Sequence, residues 1–438
     1  MRLRVRENLP CALAATAASG VVAWLGLYGF AWNDYEVEAQ PAVNALVAGH
    51  LAQFLRLAPS YGGSLIERAP FALLPGLWGG GQLAVYRLLA LPCLLAAIVL
   101  AVWLCGRMRA AGRSRLARAV AVGICVANPL TVQALELGHP EELLGACLCV
   151  AAVLLAARGR AVWAGAVLGL AIANKEWALL AVGPVLLVLA ACPTVSRPRH
   201  AIALCLGVTG AVAGAILAPL LLVSSGGFAA GARGVASPGD GLFQPWQLWW
   251  FLGAPNHVVA HGGPMPMNAP LATHPQWRLS PAGLAGVAHP LIVAMGLPLS
   301  ALAWRRRRVA GAPLLALALL LLLRCMVDPW DIGYYVLPFV LALVTWEGLY
   351  AGHRTPTLAL VVTALAWIDF VWMPNHASPD VEAALFLAWT LPLATALGLR
   401  LFAASIPRPL SWLAAIRNRD ARRERESSRG EQALAGPI

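Results

Sequence analysis

The chain has 438 residues, of which 60% are hydrophobic and 12% charged, with a formal net charge of +12. Charged residues make up roughly 25% of a soluble domain, so this composition excludes an ordinary water-soluble fold. The basic excess does not point to nucleic acid either, because the arginines sit in short clusters between apolar runs and not along one face or helix.

A basic start (Arg2, Arg4, Arg6) leads into an apolar run from about Pro10 to Ala31, predicted to be a helix. It is longer than a signal-peptide core and has no small-residue cleavage site before Trp32, so it is expected to remain as a membrane anchor. Further apolar helices are predicted near 84–105, 119–136, 141–157, 161–173, 177–192, 201–224, 284–304, 310–326, 334–350, 356–373 and 382–404. Runs of about 18 to 24 apolar residues can cross ~30 Å of hydrocarbon at ~1.5 Å per residue. Two long loops, about 32–83 and 225–283, are rich in Gly, Pro and aromatics and are expected to carry short helices. The predicted fold class is an all-α polytopic membrane protein with about 12 transmembrane helices. They form a single domain over 1–404, followed by a basic tail, 405–438, that reads as disordered.

The positive-inside rule orients the chain. Arg107 to Arg118, Arg158, Arg160, Arg197, Arg199, Arg305 to Arg308 and Arg354 alternate onto the side of the amino terminus and the tail. Both termini are therefore expected in the cytoplasm and the two long loops outside a plasma membrane. Cys11, Cys93, Cys105, Cys125, Cys147, Cys149, Cys192, Cys205 and Cys325 lie in or at the ends of apolar segments, without C-x-x-C spacing in an aqueous loop. They read as small buried hydrophobes.

Four polar constellations interrupt the apolar pattern. The first, Trp32 to Glu38, follows the first helix. Its Asp34, nearest the membrane, is a candidate general base, with Glu36 beside it; acids at an outer helix end also serve topology and solubility. The second, Glu136 to Glu142, is a tight outer turn in which His139, Glu141 and Glu142 could hold polyhydroxyl groups or a metal. Glu141 and Glu142 also suit the amino terminus of a helix whose first turn holds Pro140. The third is Asn174-Lys175-Glu176-Trp177, at the midpoint of a hairpin whose arms of ~13 and ~16 apolar residues reach only ~20 to 24 Å. Lys175, the one lysine against 31 arginines, is therefore expected at membrane depth facing a cavity. There it either pairs with an acid such as Glu176 or receives an anionic lipid phosphate.

In the second long loop, Gln244 and Trp246 suit carbohydrate, and the tryptophans there also suit membrane anchoring; His257 and His261 are a weak metal signal. The fourth constellation, Arg324 to Tyr335, offers a guanidinium for phosphate, Asp331 for hydroxyls, and Tyr334 and Tyr335 for a sugar face or for an interfacial belt. No P-loop, G-x-G-x-x-G, H-E-x-x-H or G-x-S-x-G is present, so the common soluble chemistries have no support.

Asp34 after the first helix, the small-residue run Ala164 to Asn174 leading to Lys175, and Tyr334-Tyr335-Val336-Leu337-Pro338 together resemble the GT-C membrane glycosyltransferases. The likeness is to the polyprenyl-phosphate-mannose-dependent mannosyltransferases of glycosyltransferase family 87, whose actinobacterial members build cell-envelope glycans. The chain departs from that pattern at Gly138-His139-Pro140-Glu141 and at Glu176, which stands where a proline often follows the lysine. The resemblance implies a GT-C-like fold and an inverting hexosyltransferase. The donor would be a polyprenyl-phosphate sugar, mannose by the resemblance, and the acceptor a cell-envelope lipid or glycan on the outer face. On that reading Asp34, with Glu36 nearby, is the base, Lys175 and Arg324 stabilise the phosphate, and His139, Glu141 and Asp331 orient sugar hydroxyls, with Glu142 beside them in the substrate site; nothing in the sequence demands a cofactor or a metal. A polytopic secondary transporter or flippase for a lipid-linked or small polar substrate is the competing expectation, since it would share the buried Lys175 and Glu176.

Overall fold

The computed structural model describes residues 2–28, 34–223, 243–255, 278–352 and 355–402. Trp32, Asn33, His257, His261, Arg354 and the tail from 405 lie outside the described residues. Every predicted apolar segment is helical: α1 (Arg2–Tyr28), α5 (Gln82–Ala110), α6 (Arg115–Val126) with α7 (Pro129–Leu137), α8 (Glu141–Ala156), α9 (Ala161–Asn174), α10 (Val182–Ala191) and α11 (Pro198–Val223). They continue as α12 (Leu284–Ala303), α13 (Ala312–Val327), α14 (Leu337–Tyr350), α15 (Thr357–Trp367) and α16 (Pro379–Phe402).

Among the described residues seven helices are long and apolar enough to cross a membrane: Leu9–Tyr28, Gln82–Ala110, Arg115–Leu137, Pro198–Val223, Gly286–Arg306, Thr357–Asn375 and Pro379–Phe402. Their outer faces carry Leu13, Trp24, Val99, Leu222, Leu297 and Leu399, each more than half exposed. Water would penalise such faces by ~25 cal/mol per Å² of apolar surface, whereas hydrocarbon does not. The chain is thus a membrane-embedded α-helical protein.

Shorter helices fill the middle. α13 and α14 are apolar around their whole circumference and buried almost throughout, the pattern of a helix enclosed by other helices. α8 is similarly enclosed and packs against α5, α9 and α14. On one flank α9 and α11 approach so closely that a Cβ at Gly165 would strike the Cys205 carbonyl, and the Thr209 hydroxyl donates to the Gly165 carbonyl at 3.1 Å. Asn128 breaks the third predicted helix into α6 and α7: its side chain accepts from the Leu130 amide at 2.9 Å and Pro129 opens the new helix.

The first long loop carries a π-turn (Tyr35–Ala39), then α2 (Gln40–Val47), α3 (Leu51–Leu57) and α4 (Gly62–Leu73). α4 lies on the end of α9 with so little room that a Cβ at Gly63 would collide with the Ala173 carbonyl. Of the second long loop, residues 243–255 and 278–283 are described; they hold a short 3-10 helix (Trp250–Leu252) and a two-residue antiparallel pair, β1 (Ala254–Pro255) with β2 (Arg278–Leu279). Gly253 and three nearby prolines, Pro245, Pro255 and Pro281, limit helix there, since they interrupt helical hydrogen bonding.

Candidate functional site

The site forms where α7 turns into α8. Gly138 ends α7 with φ +92°, a left-handed conformation that favours glycine, and Tyr35 of the first long loop packs on it. The turn aims His139 back toward that loop and starts α8 with Glu141 and Glu142, both fully buried. Acids in a first helical turn are stabilised by the helix dipole, but buried carboxylates also need cations.

Three elements supply them. From α4, the Arg68 guanidinium reaches Glu141 Oε2 at 3.2 Å. From the break after α9, Lys175 Nζ lies 3.5 Å from Glu141 Oε1 and 3.5 Å from Glu142 Oε1. From the end of α13, Arg324 Nη1 lies 3.6 Å from Glu142 Oε2. Asn174 ties α9 to the turn by donating from Nδ2 to the Glu141 carbonyl at 2.9 Å. The cations are also stacked on rings: Lys175 lies 4.2 Å from the Tyr61 centroid, and Arg324 lies near both Tyr335, at 4.2 Å, and Trp177, at 5.0 Å.

His139 carries the cluster outward. Its Nδ1 is 2.7 Å from Glu141 Oε1 and its Nε2 is 3.2 Å from Asp34 Oδ2, and the ring stacks on Tyr334 at 4.8 Å. Burial alone would push the imidazole down. The Glu141 carboxylate and the contacts to Asp34 and Glu141 more than reverse this, raising it to about 9. Side-chain exposure rises along the chain from 1% at Glu141 through 6% at His139 to 32% at Asp34, so Asp34 is the member open to an incoming molecule.

Asp34, His139, Glu141, Glu142, Lys175, Arg324, Tyr334 and Tyr335, drawn from all four predicted constellations, thus meet at one end of the bundle. Other candidates stand apart. Glu36 is exposed on the π-turn and shares none of these contacts. Glu176 is exposed too, so Lys175 pairs with Glu141 and Glu142 and not with its neighbour. Asp331 is fully buried behind Arg324, where burial pushes its carboxyl well above the ordinary range. Trp246 packs on Phe370 at 4.8 Å, and the Gln244 amide donates to the Pro329 carbonyl at 2.9 Å. The Gln244 bond is made by its backbone N–H and ties the loop to the segment after α13, while Trp246 packs on the turn that follows α15; neither contact involves the carboxylate cluster.

Sequence reasoning missed Arg68 and Tyr61. A signal for Arg68 existed, because an arginine in a loop assigned to the outer side breaks the positive-inside pattern. Tyr61 donates to Glu38 Oε2 at 2.7 Å, a contact that spacing does not reveal. Asp34, Glu38 and His139 present ligand atoms within 4.8 Å of one another, a set able to hold a cation. Comparison with protein-family models, curated proteins and solved structures finds no match to this chain.

Proposed function

We propose that this protein is a polytopic GT-C-like glycosyltransferase of the plasma membrane. Twelve crossings place both termini in the cytoplasm and the cluster at the outer face. It moves a sugar, mannose by the resemblance, from a polyprenyl-phosphate donor to a cell-envelope lipid or glycan. The observation that carries this reading is the half-open Asp34 joined through His139 to a buried group in which three cations, Arg68, Lys175 and Arg324, face two carboxylates, Glu141 and Glu142. One positive charge is left over inside the buried group, which suits the single negative charge of a lipid phosphodiester.

In the proposed reaction an acceptor hydroxyl attacks the anomeric carbon from the face opposite the phosphate. The new C–O bond forms as the bond from that carbon to the phosphate oxygen breaks, with inversion. Asp34 takes the hydroxyl proton, and the bonding pair leaves with the polyprenyl phosphate, whose gathered charge Lys175 and Arg324 stabilise. His139 positions Asp34. Because Glu141 already binds Arg68, His139 and Lys175, it and Glu142 act in this reading as anchors for the cations rather than as ligands of sugar hydroxyls. Neither a cofactor nor a metal enters the scheme.

The test is transfer of radiolabel from polyprenyl-phosphate mannose to an envelope lipid extract by the purified protein. No labelled product from wild type across a panel of such donors would overturn the reading. A second reading, a transporter or flippase, draws on the buried charge group at Lys175, Glu142 and Arg324. It predicts movement of labelled lipid across a proteoliposome membrane with no new covalent product.

A further inference from the structure

At the end of α9 opposite Lys175, the α8–α9 and α10–α11 turns enclose a groove of about 530 Å³. The turns are locked together: a Cβ at Gly159 would meet the Thr194 hydroxyl at 2.6 Å, and Cys192 Sγ lies 3.1 Å from the same hydroxyl. Arg160, Arg197 and His200 line the groove with Thr194 and Ser196, and no Asp or Glu is among the lining residues. None of these three basic side chains has an ion-pair partner among the described residues.

Two helices, α9 and α11, also begin at this groove, at Ala161 and Pro198, and α9 has no side-chain cap on its first amides. Their amino termini add partial positive charge and unpaired donors. The floor runs onto an apolar face, where Val162 is 47%, Trp163 63% and Leu204 39% exposed. Basic and hydroxyl groups at the rim, an exposed tryptophan beside them and an adjoining apolar path are the separate needs of a headgroup phosphate and its acyl chain.

We propose that this groove binds the phosphate headgroup of an anionic phospholipid from the leaflet at that end of the bundle, with an acyl chain lying along Val162, Trp163 and Leu204. The site is separate from the carboxylate cluster and does not depend on the reaction proposed there. An occupant would fasten the start of α9, whose other end places Lys175.

Native mass spectrometry of the full chain in detergent tests this, with phosphatidylglycerol and phosphatidylcholine titrated separately. Wild type is expected to retain phosphatidylglycerol and to show little retention of phosphatidylcholine. Arg160→Gln and Arg197→Gln should each weaken phosphatidylglycerol binding about fivefold. Arg199→Gln, outside the groove, should leave it unchanged, and Trp163→Ala should weaken lipid binding without affecting any binding of inorganic phosphate. Equal retention of the two lipids would overturn the proposal. So would an Arg199→Gln loss as large as that of Arg160→Gln, or inorganic phosphate alone raising the melting temperature as much as phosphatidylglycerol does.

Discussion

His139 Nε2 stands 3.2 Å from Asp34 Oδ2, close enough for one imidazole to set the direction of a partly open carboxylate at the rim of the buried cluster. If Asp34 is the base, Asp34→Asn removes proton acceptance while preserving shape. Transfer should fall by ~10² to 10⁴, with donor binding little changed. Glu36→Gln is the control, since Glu36 is exposed and outside the cluster, and should retain near-normal turnover. Normal turnover in Asp34→Asn would move the base elsewhere.

The imidazole also makes stability depend on pH. An unfolded histidine titrates near 6.5, whereas His139 in the fold titrates near 9. Its contacts with Glu141 and Asp34 therefore contribute fully below about pH 6.5, and the contribution is lost as pH rises through about 9, amounting to roughly 3 kcal/mol at most. Thermal unfolding in detergent should show a falling midpoint from pH 7 to pH 10, and His139→Gln should start lower and flatten that slope. A variant with the wild-type slope would assign the pH dependence to other groups.

Much of this was legible because lipid imposes simple rules. Apolar length marked the long apolar helices of the bundle, and a lone lysine in an apolar hairpin marked Lys175. Spacing could not show that Lys175 is held between Glu141 and Glu142, since its partners lie more than thirty residues away and meet it only through packing of α8 on α9. The pairing of Arg68 with Glu141 was hidden for the same reason, because α4 reaches the cluster only when Gly63 lets it touch Ala173. Gln244 and Trp246 are candidates by residue type alone; what residue type could not show is that the Gln244 backbone N–H bonds to the Pro329 carbonyl and that the Trp246 ring packs on Phe370.

Topology has its own test. A single cysteine at exposed Gly79 in the first long loop should react with an impermeant thiol reagent in intact cells, while one at exposed Arg308 should react only after permeabilisation. Background is low because eight of the nine native cysteines are buried. Both sites labelled from the same side would break the twelve-crossing arrangement and take the proposed outer site with it.

Structure and chemistry separate most cleanly at Lys175 and Glu142, whose charged atoms lie 3.5 Å apart. Lys175→Met strands the Glu142 and Glu141 carboxylates with less compensation inside the bundle. Removing one partner of a buried pair typically costs ~3 to 5 kcal/mol, much of it the burden of the unpaired charge left behind. The midpoint of thermal unfolding should fall accordingly. Adding Glu142→Gln takes away one stranded charge, so the double variant should recover a large part of that loss. Recovery of the fold would not restore an ammonium to the phosphate, and transfer should remain as low in the double variant as in Lys175→Met alone. If activity returns together with stability, Lys175 is a structural counter-ion and the phosphate must be bound elsewhere, with Arg324 as the next group to replace.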